Sequence, residues 1–208
     1  MATNAPENWL DDYIWPQIHS LMLNDAYFKL VRYVFEISQK YIDPVGNLVV
    51  NGYVTFQMIG IRRLCDDKRD VISLRRLLIE TKSIPNQQDL LRKLDTCKEV
   101  CDRASDHIAH TGNPARRPNI TDWNLTENDL TNAQKSICEV AIALDRASIK
   151  PKGYVNIIPV VQTLNMLDFN LSPTDTKKLW DFWHAHNDTV NGWILNFPER
   201  RDARAIAG

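Results

Sequence analysis

Apolar residues recur at three- and four-residue spacing along most of the first 150 positions. The longest example is the stretch from Trp9 to Ile42, with apolar positions at Ile14, Ile18, Leu21, Met22, Tyr27, Leu30, Val31, Val34, Phe35 and Ile37. Such spacing places apolar side chains on one face of an α-helix. It predicts a long amphipathic helix, which tolerates Pro16 if this residue lies in a first turn.

The next two helices are predicted on either side of the charged stretch "DDKRD" at 66–70. The sequence "DPVGN" at 43–47 has the composition of a turn, and a helix is expected to follow it with Thr55 as its N-cap. A shorter helix over 70–82 turns its apolar residues inward, namely Val71, Leu74, Leu77 and Leu78. Both segments therefore contribute apolar faces to one helical core.

Two more helices are indicated by their start signals. One begins after Pro85, with Asn86 as its expected cap, and continues to His110. The other covers 126–148 and starts with Thr126 followed by Asp129, a variant of the capping box. Together with the earlier segments they predict an all-α helical bundle.

The character of the chain changes near residue 150. Positions 150–175 mix short apolar runs with Pro and Gly, and helical spacing returns over 174–186. We therefore expect residues 1–150 to form the bundle and residues 151–208 to form a mostly helical C-terminal extension. This extension either packs on the bundle or forms a partner surface.

Composition excludes some classes of function but identifies none. The 208 residues are 44% hydrophobic and 25% charged, as in an ordinary globular protein, and no glycine-rich nucleotide loop occurs. The formal net charge of −1 predicts that any nucleic acid would be bound by a local patch. Four scattered cysteines, the lack of a signal-peptide pattern and the lack of a long apolar run predict a cytoplasmic protein without membrane spans.

The sequence "CDRASDHIAHTGNP" at 101–114 carries the strongest chemical signal. On a helix, seven residues turn through about 700°, so Arg103 and His110 point within about 20° of each other, and His107 lies about 40° off the same line. Arginine offers a planar fork for phosphate, and histidine exchanges a proton near neutral pH. This combination suits RNA cleavage, in which a hydroxyl loses a proton while a phosphate gains charge.

An ordinary solvated helix face explains the same residues. Cations near the end of a helix interact favourably with its dipole, and side chains at helical spacing mostly reflect solvation. Asp102 and Asp106 then form local ion pairs with Arg103 that contribute little stability. From spacing alone, both interpretations stay open.

The segment "RASDHIAH", with six residues between Arg103 and His110 and a final Ala-His pair, resembles the motif of the HEPN superfamily. The upstream "IRRLCDDKRDVISLRRLL" is similar to the pattern of AbiU-type HEPN proteins from phage abortive-infection systems. The resemblance covers roughly residues 10–149. It implies a four- or five-helix up-and-down bundle that forms a homodimer, in which two motif helices face each other across a shared cleft.

The activity implied by this resemblance is that of a metal-independent endoribonuclease, acting as a toxin or phage-defence component on RNA, without a cofactor. His110 would transfer the proton and Arg103 would stabilise the phosphate. Where the family usually has a polar residue after the arginine, this chain has Ala104, so Ser105 or Asp106 is the expected substitute. His107 is a candidate second proton carrier, and an antitoxin or another protein is a candidate partner. Arg116 and Arg117, just beyond the motif, are candidate RNA contacts.

Two other functions remain as alternatives. A non-catalytic HEPN-like interaction module would use the aromatic cluster of Trp180, Phe182, Trp183 and Trp193 for packing or for a partner. A metal site would need His19, His184 and His186 to converge, although His184 and His186 point about 200° apart on a helix. Cys97, Cys101, His107 and His110 also have the residue types of a zinc site, but one rigid helix cannot wrap four ligands around an ion.

Overall fold

The computed structural model describes residues 9–38, 43–81, 84–105, 125–147 and 171–195. The α-helices of these ranges are α1 (Trp15–Ser38), α2 (Asp43–Cys65), α3 (Leu74–Glu80), α4 (Gln87–Asp95), α5 (Lys98–Ala104), α6 (Glu127–Ala147) and α7 (Pro173–Leu195). The described residues contain no β-strand. The predicted all-α helical bundle is therefore confirmed.

One hydrophobic core joins the long helices. Helix α1 packs against α2, α6 and α7, and α2 also packs along α5. The largest side chains of this core that are closed off from solvent are Ile14, Trp15, Ile18, Leu21, Met22, Leu30, Ile61, Leu64, Leu74, Leu78, Leu94 and Trp183. Each contributes about 1.5–3 kcal/mol through loss of water contact, so this core supplies most of the stability. Gly60 lets α2 approach α1 closely, because a Cβ there would lie 2.7 Å from Leu21 Cδ1.

The first predicted helix begins with a π-helical turn, Leu10–Ile14, ahead of α1. The Trp15 N–H donates to the carbonyl of Leu10, five residues back. Pro16 has no N–H to donate, and it follows this wider turn as the second residue of α1. The helix therefore passes the proline without a break, and Pro16 lies in the second turn of this continuous helix and not in the expected first turn.

The predicted turn at 43–47 is wrong, because α2 already begins at Asp43. Pro44 fits there since the first N–H groups of a helix have no acceptor within it. Each glycine inside α2 lowers the stability of the helix by about 1 kcal/mol relative to alanine. Burial of the inward-facing side chains offsets this cost, and these side chains are Tyr53, Gln57, Met58, Ile61 and Leu64. Thr55 lies in the middle of α2, so it is not the expected N-cap.

The predicted helix from Asn86 to His110 is interrupted at Thr96 and Cys97. The N–H of Cys97 donates to the carbonyl of Leu94 three residues back, and the Thr96 hydroxyl donates to the carbonyl of Lys93 at 2.7 Å. These bonds tighten the chain into a turn between α4 and α5. The α-helical residues of α5 continue to Ala104 and Ser105 follows in π-helical conformation, while residues 106–124 lie outside the described part of the chain.

The start signals agree with the structure to different degrees. At α6 the Thr126 N–H donates to the Asp129 carboxylate at 2.8 Å, and the Asp129 N–H donates back to the Thr126 hydroxyl at 3.2 Å. The predicted capping box is therefore confirmed. Asn86 precedes α4 as expected, but it has a left-handed φ of 60° and its side chain makes no capping bond. Its carbonyl instead accepts from the N–H groups of Asp89 and Leu90.

Helix α7 belongs to the predicted C-terminal extension and packs against α1 and α6. Residues 148–170, which contain the predicted boundary, lie outside the described ranges. The division into 1–150 and 151–208 therefore stays a prediction. Among the helices that the structure describes, none is long and apolar enough to cross a lipid bilayer.

Candidate functional site

Arg103 lies in the last turn of α5, with 28% of its side chain exposed. Its Nη2 donates to Oε1 of Glu99, one turn earlier, at 2.9 Å. The hydrogen bonds from Thr126, with a smaller contribution from the charge of Arg103, hold the pKa of Asp129 below its ordinary value. The guanidinium of Arg103 is therefore near the start of α6 as well as its own helix, with carboxylates on both.

The other predicted site residues are His110, His107, Asp106, Arg116 and Arg117, and all of them lie outside the described residues. Asp102 is exposed and pairs with Lys98, whereas Arg103 pairs with Glu99. Asp102 therefore pairs with Lys98 in the described residues, whereas the expected pair of Asp106 with Arg103 lies outside them.

The histidines of α7 do not converge with His19. The ring of His184 is exposed and stacks near Trp180, with 5.7 Å between centroids. The ring of His186 is largely buried, with 11% of the side chain exposed, and faces Asp25 of α1, whereas His184 points to solvent as expected for residues two apart on a helix. His19 lies beside Trp15. Within the described residues, no group of three or more histidine, cysteine, aspartate or glutamate side chains is arranged to hold a metal ion.

The aromatic cluster of α7 attaches this helix to α1. Trp183 is closed off from solvent and lies near Tyr27, with 6.2 Å between ring centroids. Phe182 stacks on Tyr33, with 4.5 Å between centroids. Trp180 and Trp193 are partly buried against the same core. Of the two predicted roles, the described contacts show the packing role.

A buried polar network connects α1, α2, α6 and α7, and its centre is the carboxylate of Asp25, which has no exposed surface. Oδ1 accepts from the Tyr53 hydroxyl at 2.5 Å, and Oδ2 accepts from Nζ of Lys29 at 2.9 Å. His186 Nε2 lies 3.6 Å from Oδ2, beyond hydrogen-bond distance. Burial and the adjacent Asp25 raise the pKa of Tyr53 well above its ordinary value, so its hydroxyl keeps its proton.

Two glutamines extend this network through the core. Gln57 Nε2 donates to the carbonyl of Leu21 at 3.0 Å and to Oδ1 of Asn24 at 3.1 Å. Gln134 Nε2 donates to Oε1 of Gln57 at 2.9 Å. Both glutamines are fully buried. A buried polar group without a hydrogen bond is costly, so these contacts favour one arrangement of the helices.

A groove of about 410 Å³ opens beside this network between α1, α2 and the start of α6. Its apolar lining consists of Phe28, Phe35, Val49, Val50, Val54, Leu125 and Leu130. Arg32 also lines the groove, and its guanidinium donates to Glu36 at 3.0 Å and to Glu127 at 2.7 Å. Tyr53 contributes to both the groove and the network. The groove can hold an apolar group, but the buried Asp25 carboxylate behind it is closed to a substrate.

No protein-family model, curated protein or solved structure matches this chain.

The network was not predicted, although the sequence contains a signal for it. Asp25 lies three residues after Met22 and four before Lys29, on the same face as Ile14, Ile18 and Leu21. Gln57 and Gln134 also occupy positions on inward faces of their helices. A carboxylate and two amides on apolar faces indicate a buried polar network, but spacing along one helix does not identify partners on another.

His186 gives the fold a pH dependence whose sign follows from its surroundings. Burial, and then the nearby Lys29, lower the pKa of His186, while Asp25 and Glu127 oppose this shift only in part. The unfolded chain then binds more protons than the folded chain in the window below about pH 6.5. The resulting stability is complete above that pH and is lost as the pH falls through the folded-state pKa. Burial lowers the pKa of His19 too, so it acts in the same direction.

We therefore expect the melting temperature of the wild-type chain to fall between pH 7.5 and pH 5.5, and to fall less in His186→Gln. Differential scanning fluorimetry at both pH values measures this difference. The matched control is His184→Gln, on the exposed side of the same helix, which should keep the wild-type decrease. An equal decrease in wild type and His186→Gln would contradict the assignment.

Proposed function

We propose that this chain is a metal-independent endoribonuclease of the HEPN type, acting in the cytoplasm as a toxin or phage-defence component. The observation that carries the proposal is the position of Arg103. It lies in α5 of an all-α bundle, and 28% of its side chain is exposed. A phosphate group can therefore reach the guanidinium from solvent.

The ion pair of Arg103 with Glu99 leaves room for such a contact. Glu99 is 64% exposed, and exposed pairs one turn apart contribute only about 0.3–0.5 kcal/mol. An RNA phosphate offers a bidentate, charge-assisted contact that is stronger than this pair. The local carboxylates would also orient the planar guanidinium before substrate binds.

In the proposed reaction, one histidine side chain takes the proton from the 2′-hydroxyl, whose oxygen forms a bond to the adjacent phosphorus. The bond from phosphorus to the 5′-oxygen then breaks, and protonation of this leaving oxygen completes the transesterification. We assign the proton transfer to His110, with His107 and Asp106 as assisting groups, and the stabilisation of the phosphate charge to Arg103. Arg116 and Arg117 would contact the RNA backbone. A homodimer would supply the second motif across a shared cleft, and an antitoxin protein would restrain the activity.

The experiment is RNA cleavage by the purified chain in the presence of a metal chelator. We expect cleavage by wild type and loss of cleavage in His110→Ala and Arg103→Ala. The matched controls are His184→Ala, an exposed histidine of α7, and Arg63→Ala, an exposed arginine of α2. Equal cleavage by wild type and His110→Ala, or no cleavage by wild type, would remove the catalytic proposal.

The second candidate is a non-catalytic helical interaction module, and two observations favour it. Glu99 and Asp129 place negative charge close to Arg103, which weakens an RNA contact. The groove beside Tyr53 exposes apolar side chains, among them Val50 with 38% exposure. If wild type leaves RNA intact, the groove is the surface to test next. Val50→Glu introduces a charge into the groove and should weaken the binding of a protein partner.

A further inference from the structure

The outward face of α2 is apolar through the middle of the helix. Leu48, Phe56 and Ile59 are 73%, 42% and 39% exposed, and Gly52 between them is exposed as well. On a helix these four positions, called the α2 strip below, fall within about 80° of each other, on the side opposite the buried Ile61. An exposed apolar surface of this kind marks a place where another molecule binds.

The α2 strip also lacks the charges of a solvated helix face. From 45 to 61 the sequence has no aspartate, glutamate, lysine or arginine, and the exposed polar residues of this range are asparagine and threonine. The outward side of α7, by contrast, carries Lys177 and Asp181. Charged side chains are depleted from the centre of protein interfaces, whereas they are common on solvated helix faces. The composition of the strip is therefore that of an interface centre.

Gly52 lies in the middle of the α2 strip, where the packing of the chain on itself does not require a glycine. No neighbouring atom of the described chain lies within 4 Å of the position of a Cβ at Gly52, whereas a Cβ at Gly60 would lie 2.7 Å from Leu21 Cδ1. Glycine weakens a helix interior more than any residue except proline. Contact with α1 explains Gly60, and a second molecule packed closely on the strip would explain Gly52.

The α2 strip is complementary to itself. In an antiparallel pair of α2 helices that sets Leu48 of one copy near Ile59 of the other, Gly52 lies opposite Phe56 on both sides of a two-fold axis. The ring of each phenylalanine then enters the space that the glycine of the other copy leaves open, as a knob enters a hole. Both the glycine and the exposed aromatic ring thus have a use in the same arrangement.

The charges at the two ends of α2 favour the antiparallel orientation. The helix begins with Asp43, and Arg63 is exposed in its last turn. An antiparallel pair brings the acidic start of one helix to the basic end of the other, whereas a parallel pair brings like charges together. The molecule that fits this face is therefore a second copy of the chain.

We propose that this chain forms a homodimer through the α2 strip, with two α2 helices antiparallel across a two-fold axis. The strip is about 17 Å long and one helix wide. This is less than the roughly 800 Å² per subunit that stable complexes bury, so the dimer is weak and reversible. The proposal holds whether or not the chain cleaves RNA, because no residue of the strip takes part in that reaction.

The first test is analytical ultracentrifugation of the full-length chain from about 1 to 200 µM, where a weak dimer dissociates. We expect the mean mass of wild type to rise with concentration from that of one chain towards that of two. Ile59→Lys places an unpaired charge in the interface and should raise the Kd about tenfold or more. The matched control is Ile79→Lys, which changes a similarly exposed isoleucine of α3 and should leave the Kd unchanged.

Gly52→Leu separates dimer formation from folding. A side chain at this position meets open space in the single chain, and leucine is a better helix former than glycine. The variant should therefore raise the melting temperature of the dilute chain, while filling the space for Phe56 and raising the Kd about tenfold or more.

Cysteine cross-linking tests the orientation. Thr55→Cys places a thiol about 4 Å along the helix axis from its counterpart in the other copy, whereas Leu48→Cys places it about 17 Å away. We expect mild oxidation to link Thr55→Cys into disulfide dimers, and to leave Leu48→Cys and wild type as single chains. Equal linkage of both variants would indicate parallel helices and overturn the proposal.

Two further outcomes overturn it. One is a wild type that stays monomeric over the whole concentration range. The other is a dimer that forms equally well in wild type, Ile59→Lys and Gly52→Leu, because its interface would lie elsewhere. That last result would leave the proposed ribonuclease intact, since the dimer of that proposal is formed through the motif helices.

Discussion

Replacing Asp25 by alanine is expected to lower the free energy of unfolding by about 3–5 kcal/mol, the cost of removing one partner of a buried ion pair. The carboxylate accepts hydrogen bonds from Lys29 and from Tyr53, and it has no exposed surface. Its removal leaves the buried Tyr53 hydroxyl without this acceptor, and Lys29, whose side chain is only 15% exposed, without its nearest carboxylate. Loss of this size removes much of the stability of an ordinary domain.

Urea unfolding followed by circular dichroism measures this loss. The matched control is Asp181→Ala, which removes an exposed aspartate from a pair with Lys177 of the same one-turn spacing. We expect that change to cost less than about 1 kcal/mol. Tyr53→Phe should lie between the two, at about 1.5–3 kcal/mol, because it removes one hydrogen bond to a charged group. Similar costs for Asp25→Ala and Asp181→Ala would show that the network does not hold the helices together.

The helices were predictable from local spacing because each needs only one apolar face and a start signal. The capping box of Thr126 and Asp129 and the inward row of α1 follow from the sequence in this way. The start of α2 could not be predicted from the sequence, because Pro44 and Gly46 are typical of turns. Burial of the residues further along this helix overrides their local preference. The turn between α4 and α5 was missed because it depends on a Thr96 side-chain bond that no periodicity reveals.

Candidate chemistry was less predictable than the helices. Spacing placed Arg103 on a helix, but its contacts with Glu99 and with the start of α6 depend on side-chain conformation and on packing. The Asp25 network needs four helices to meet, which a single helix face cannot specify. The sequence therefore predicts contacts between residues of the same helix, whereas it does not predict sites that are assembled from several helices.

Trp183→Ala is expected to lower the free energy of unfolding by about 3–5 kcal/mol, as is usual when a large aromatic side chain is removed from a core. Trp183 has no exposed surface and lies between α7 and the bundle, near Tyr27. Its indole Nε1 makes no hydrogen bond to any residue in the described ranges. The cost should therefore come from lost packing alone, and Trp183→Phe should recover most of it.

The same variant tests whether α7 belongs to the cooperative unit of the bundle. Helix α7 packs against α1 and α6, and His186 faces the central Asp25, so we expect one unfolding transition that shifts as a whole. Trp180→Ala, on a half-buried neighbour, should shift the transition less because less surface returns to water. Hydrogen exchange distinguishes the alternative outcome. If Trp183→Ala exposes only the amides of α7 while those of α1 and α6 stay protected, then α7 is an appendage, and the extension predicted beyond residue 150 is a separate unit.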